Sequence, residues 1–138
     1  MADLGREVMA DRPASPRILI VDDGSLIRLY YRETLEAAGF EVAEAINGIE
    51  ALEKVLSERF DLVIVDINMP KMDGMSFLRA LRSQEGNAGA IPTLVISSES
   101  GERDADAARA AGANFYLVKP VAERELQSYV AVLAGAPR

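Results

Sequence analysis

Arg17-Ile-Leu-Ile-Val21-Asp22-Asp23 decides the fold. Ile18 to Val21 is an unbroken apolar run, so side chains on both sides of the extended chain are apolar. A strand with one face in water alternates instead, so this run predicts a strand buried on both faces. Leu62-Val-Ile-Val65-Asp66 repeats the pattern, an apolar run that ends on a carboxylate. Strands of this kind belong to parallel sheets with helices packed on each side.

Outward from these two runs, strand and helix patterns alternate. Ser25 can cap a helix carrying Leu26, Leu29, Tyr30 and Leu35 at helical spacing, with Gly39 as its stop. Residues 40–45 alternate like an outer strand. Asn47 can cap a second helix with Ile49, Leu52, Val55 and Leu56. Asn68-Met-Pro-Lys-Met-Asp-Gly74 is a turn-rich loop, and Met75, Leu78 and Leu81 mark a third helix. Residues 86–89 read as a loop, 93–96 as a strand, 102–111 as an Ala-rich helix, 115–118 as a strand, and 123–133 as a last helix with Leu126, Tyr129, Val130 and Leu133. The expectation is an α/β domain at 17–134, doubly wound, with a flexible lead-in at 1–16 and a short tail at 135–138.

The composition narrows the chemistry. The 138 residues are 49% hydrophobic and 27% charged, which fits one globular domain with its own core. The formal net charge of −7 opposes nucleic-acid binding, which needs clustered Lys and Arg to neutralise phosphates. With no His and no Cys, the commonest general base, thiolate nucleophiles and the usual zinc ligands are absent. Hard cations held by carboxylates remain. No apolar run approaches the roughly 20 residues of a membrane span. A cytoplasmic protein is expected.

In open α/β sheets, ligands bind outside the carboxyl ends of the strands. Asp22 and Asp23 follow the first strand, Asp66 the third, Ser97 the fourth and Lys119 the fifth. Carboxylates crowded at one edge repel, and a divalent cation relieves this. Mg²⁺ takes one or two carboxylates and completes its shell with water and phosphate oxygens. That suits Asp23 and Asp66 as ligands, with Asp22 acting through water and the Asn68 carbonyl as a further donor. Asp66 can also be a nucleophile, since carboxylates form acyl phosphates. Lys119 would balance the incoming charge and Ser97 would donate to a phosphoryl oxygen.

Val21-Asp22-Asp23, Val65-Asp66-Ile67-Asn68-Met69-Pro70, Met72-Asp73-Gly74 and Val118-Lys119-Pro120 resemble the receiver domain of bacterial two-component response regulators, most of all the stand-alone chemotaxis type. The resemblance covers nearly the whole chain, from Arg17 to Leu133. It implies a flavodoxin-like sheet of five strands in the order 2-1-3-4-5. It implies phosphotransfer from a histidine kinase to Asp66, metal ligands at Asp23, Asp66 and the Asn68 carbonyl, and phosphate contacts at Ser97 and Lys119. It further implies a cis peptide before Pro120 that aims Lys119 into the site. Ser97 stands where the family often has Thr. The coupling implied is a Ser97–Tyr116 switch, in which phosphate draws the Ser97 hydroxyl in and Tyr116 turns inward to reshape the face made by the last two helices and the last strand. Asn68 and Glu99 flank the path of an attacking water and resemble the short-lived chemotaxis type.

Rival readings remain open on the residues alone. A haloacid-dehalogenase-like phosphohydrolase would need a second Asp where the chain has Asn68. A nucleotide-binding module would need a glycine-rich loop where Gly24 stands alone. An unphosphorylated receiver-like scaffold is the third. Within the favoured class, the expected partners are a histidine kinase and a downstream protein, with no DNA-binding part, no nucleic acid and no membrane. A motor switch, a phosphorelay intermediate and feedback on a kinase are alternative outputs. The expected state is a monomer or a weak, phosphorylation-dependent dimer.

Overall fold

The computed structural model describes residues 15–67, 72–98 and 101–137. The strands are β1 (Arg17–Val21), β2 (Glu41–Ala45), β3 (Leu62–Val65), β4 (Thr93–Ser97) and β5 (Phe115–Val118). The helices are α1 (Ser25–Ala37), α2 (Gly48–Ser57), α3 (Gly74–Arg82), α4 (Glu102–Ala111) and α5 (Glu123–Ala134). All strand pairs are parallel, and the order is β2-β1-β3-β4-β5. The predicted doubly wound architecture is therefore the observed one.

The unbroken apolar runs separate into two cores by strand periodicity. Leu19, Val21, Val63, Val65 and Val95 face one side and pack with Ala51, Val55, Phe77, Leu78, Leu81 and Ala108 from α2, α3 and α4. Ile18, Ile20, Leu62, Ile64, Leu94 and Ile96 face the other and pack with Tyr31, Leu35, Leu126 and Val130 from α1 and α5. Each fully buried Leu, Ile or Val contributes about 1.5–3 kcal/mol of transfer free energy. Strands that must satisfy two such cores carry polar residues only at their two ends. The polar residues therefore collect at the strand ends.

Local details depart from the sequence expectations. Gly24, not Ser25, occupies the N-cap of α1, and no side chain caps that end. Leu26 and Leu29 are 81% and 48% exposed, whereas Tyr31, Thr34 and Leu35 are buried. The inward stripe of α1 is thus rotated from the expected one: it runs through Tyr31, Thr34 and Leu35, and includes a Thr that an apolar count passes over. In α2, Asn47 caps as expected by accepting from the Glu50 N–H at 2.8 Å. Ile49 and Leu56 nonetheless face outward, and Ala51 and Val55 fill the core. A 3-10 turn at Ala88–Ala90 overlaps the stretch 86–89 that was expected to be loop. β4 continues one residue further than expected, to Ser97. Most of the lead-in placed at 1–16, and both Asn68 and Glu99, lie outside the described residues.

Candidate functional site

β1 lies between β2 and β3, so the chain leaves β1 toward opposite edges of the sheet. The crevice at such a reversal opens above the carboxyl ends of β1 and β3, where Asp22, Asp23 and Asp66 sit. Backbone bonds extend the ladder one residue past the strands and fix these positions. The Asp22 N–H donates to the Ala45 carbonyl at 3.1 Å, the Asp66 N–H to the Val21 carbonyl at 2.9 Å, and the Lys119 N–H to the Ser97 carbonyl at 2.8 Å.

One carboxylate oxygen from each of Asp22, Asp23 and Asp66 falls within 4.8 Å of the others. Asp22 and Asp66 are 3% and 9% exposed, while Asp23 is open to solvent. The Lys119 ammonium reaches between the buried pair, 3.5 Å from Asp22 Oδ2 and 3.7 Å from Asp66 Oδ1. The Lys119–Pro120 peptide is cis. Asp22 has a second tie, since its Oδ1 accepts from the Gly24 N–H at 2.8 Å. This local bond shapes the turn into α1 in place of a side-chain cap.

An all-oxygen donor set, partly buried and with one open carboxylate, fits a hard divalent cation. Three carboxylates at this spacing carry more negative charge than Lys119 offsets, and a bound cation would supply the difference. Asp22, Asp23 and Asp66 are the described residues that could hold it.

Ser97 is fully buried at the end of β4. Val95 pairs with Tyr116 across β4 and β5. Ser97, two residues beyond Val95, therefore lies on the same sheet face as Tyr116. Tyr116 is half-buried and borders an open hollow of about 410 Å³ with Gly101, Glu102, Ala105, Asp106, Arg109 and Val118. The residues read as acceptor, cation, hydroxyl and aromatic are thus on one edge or beside it.

The sequence reading missed two supports of this edge. Arg28 donates to the Asp22 carbonyl at 2.7 Å and to Glu44 Oε1 at 2.7 Å, tying the first turn of α1 to β2. An Arg on a helix has no sequence signal that separates this from a solvated charge. The other is Tyr31, whose buried hydroxyl has no hydrogen-bond partner. Burial first, then the negative charges of Asp22 and Asp66, push its ionisation well above the ordinary tyrosine range. It therefore stays neutral beneath the acidic edge.

The chain belongs to the response regulator receiver domain family, which it matches over residues 18–131. It is 42% identical over 119 residues to the transcriptional regulatory protein PrrA of Mycobacterium tuberculosis, covering 86% of this chain and 50% of PrrA. The chain spans about half the length of the curated relatives it matches. Among solved structures, the chemotaxis response regulator CheY4 of Vibrio cholerae superposes with a TM-score of 0.80 at 36% identity, over 86% of this chain and 98% of CheY4. The receiver domain of a sensor histidine kinase from Pseudomonas aeruginosa, with a magnesium ion coordinated in its active-site cleft, gives 0.81 at 29% identity over 88% and 99%. Receiver domains are phosphoacceptor switches that interact with histidine kinases and bind Mg²⁺ at an acidic pocket. No helix among the described residues is long and apolar enough to cross a membrane.

Proposed function

We propose that the chain accepts a phosphoryl group on Asp66 from a histidine kinase or a small phosphodonor, and that the acyl phosphate changes protein contacts before it hydrolyses. The observation that carries this reading is the pairing of Lys119 with both Asp22 and Asp66 inside the carboxylate cluster. One Asp66 oxygen attacks phosphorus in line. The new O–P bond forms as the donor's N–P or O–P bond breaks, and the leaving group departs with that electron pair. Lys119 follows the charge onto the phosphoryl oxygens, and the Ser97 hydroxyl donates to one of them. Asp23 and Asp66, with the Asn68 carbonyl, would hold Mg²⁺ directly and Asp22 through water. Bound there, Mg²⁺ neutralises charge on the transferring group.

With Ser97 drawn inward, Tyr116 turns toward the space it leaves, and the α4-β5-α5 face changes. We read the output as protein contacts, given the net charge of −7. Relay to a further phosphotransfer protein or feedback on a kinase are alternative outputs. Asn68 and Glu99 would orient the hydrolytic water without blocking it, giving a short-lived phosphate. Asn68→Met or Glu99→Leu should then lengthen the lifetime about tenfold, roughly 1.4 kcal/mol of barrier.

Intact-mass analysis after acetyl phosphate treatment tests the core of this reading. One phosphoryl group should appear with Mg²⁺, and none in EDTA or in Asp66→Asn. Equal labelling of Asp66→Asn would move the acceptor elsewhere. Sustained turnover of phosphate monoesters would favour a phosphohydrolase.

A further inference from the structure

The backbone ladder between β1 and β2 ends with the Asp22 N–H, which donates to the Ala45 carbonyl at 3.1 Å. The carbonyl of the same residue is met by a side chain. Arg28 Nη1 donates to it at 2.7 Å, and Arg28 Nε donates to Glu44 Oε1 at 2.7 Å. Glu44 is held from a second side, since its Oε2 accepts from Arg32 Nε at 2.6 Å. It belongs to β2, where it pairs with Ile20. One guanidinium therefore joins the edge strand to the first residue of the acidic turn. A solvated ion pair would contribute little, but the Arg28 side chain is only 14% exposed. It engages two acceptors at once with a rigid planar fork, so it fixes direction as well as charge.

We propose that Arg28 is a positioning residue for the cation pocket, setting the backbone from which Asp23 reaches it. This rests on the reading above, in which Asp22, Asp23 and Asp66 hold Mg²⁺. The Asp22 carbonyl and the Asp23 N–H share one planar peptide. With the Asp22 N–H bonded to β2 and its carbonyl bonded to Arg28, the tilt of that peptide is fixed at both ends of residue 22. The Asp22 carboxylate has its own ties, to the Gly24 N–H and to Lys119. Asp23 is open to solvent, and its place in the cluster comes from the backbone that carries it. Groups that orient a metal's ligands typically change affinity by about 10–100-fold when disturbed. The sign of the effect separates positioning from charge. Arg28 is a cation near three carboxylates, so by charge alone its removal would tighten Mg²⁺ binding. As a positioning residue, its removal weakens it.

The test uses the full chain and MgCl₂ as the only ligand. The Mg²⁺ Kd is read from a two-dimensional amide NMR titration, well below the melting transition, for wild type, Arg28→Met, Arg28→Lys and Arg17→Met. Arg28→Met keeps the stem and loses the fork, and should bind Mg²⁺ about tenfold more weakly. Arg28→Lys keeps the charge and one donor direction but not the fork, and should bind about threefold more weakly. It also keeps the test usable if Arg28→Met fails to fold. Arg17→Met removes a cation of the same size that bonds Glu58 and the Arg59 carbonyl at the other end of β1, about 13 Å of strand away. It should lower the melting temperature and leave the Mg²⁺ Kd unchanged. Unchanged or tighter binding in Arg28→Met, or wild-type affinity in Arg28→Lys where Arg28→Met does not fold, overturns the proposal. So does an equal weakening in Arg17→Met, which would report general loosening. A wild-type protein whose Asp22 and Asp23 amides do not respond to Mg²⁺ overturns the metal reading, and this proposal with it.

Discussion

Replacing Asp66 with Asn should make the metal-free protein more stable, although it removes the proposed acceptor. Asp66 faces two carboxylates whose oxygens lie within 4.8 Å. At an effective dielectric of about 20, each such pair repels by about 3.5 kcal/mol. The Lys119 ammonium at 3.7 Å opposes this with an attraction of about 4.5 kcal/mol on the same scale. The difference is about 2.5 kcal/mol of net repulsion. Water around exposed Asp23 and partly exposed Lys119 screens part of it, leaving about 1–2 kcal/mol. Asn keeps the shape of Asp, and Lys119 keeps Asp22 as a partner at 3.5 Å.

In EDTA at low salt, Asp66→Asn should therefore melt about 3–8 °C above wild type, by the scaling for domains of this size. Mg²⁺ should narrow or reverse the order. A ligand that binds only the folded state at ten times its Kd adds about 1.4 kcal/mol to wild type, and less to a variant lacking one ligand. Differential scanning fluorimetry with and without Mg²⁺, at low and high salt, measures both effects. Asp66→Asn melting at or below wild type in EDTA would refute the electrostatic argument, and so would a difference that high salt leaves untouched.

Three further outcomes follow from buried and half-buried groups. Arg82 donates to the carbonyls of Gly89, Ile91 and Gly112 and to the side chains of Thr93 and Asn114. Arg82→Met should cost about 2–4 kcal/mol in urea unfolding, because several acceptors lose their donor at once. Tyr31→Phe removes a buried hydroxyl that has no partner, so it should leave stability unchanged or raise it by about 1 kcal/mol; a loss of that size would contradict the orphaned hydroxyl. Burial pushes the Glu44 carboxyl up, but hydrogen bonds from Arg32 and Arg28 outweigh it and hold it below its ordinary value. A lowered folded value stabilises above the unfolded value, near pH 4.5, and that contribution is lost as pH falls through the folded one. Glu44→Gln should thus show a shallower fall in melting temperature between about pH 5 and 3 than wild type.

The sequence made the sheet and its functional edge legible for one physical reason. Strands β1, β3 and β4, buried on both faces, carry polar residues only at or beyond their ends, so Asp22, Asp66 and Ser97 announce where they stop; Lys119 follows β5, which is exposed at Phe115 and Val118. Helix phase was less legible. Leu26 and Leu29 looked like the inward stripe of α1, but Tyr31 and Thr34 hold that place and turn the leucines outward. Polar atoms inside the core break the apolar count on which a periodicity argument depends. Arg82 shows a second limit. At a helix end it reads as a charge matched to the helix dipole, yet its partners come from the 88–90 turn, β4 and the α4–β5 connection. Contacts between residues distant in sequence leave no local pattern.

The same edge explains why repulsion at the site can be sustained. Asp22, Asp66 and Lys119 are held by their own backbone N–H groups, each bonded to the residue that ends a neighbouring strand. Those strands are anchored by two cores, so the carboxylates cannot relax apart by shifting the backbone. Gly74 adds a second restraint, since a Cβ there would fall against the Asp66 carbonyl oxygen and the Ile67 Cα. With the backbone fixed, charge at the edge changes only by ligand binding or covalent modification. Under the function proposed above, such a site would turn a change in charge into a change in side-chain position.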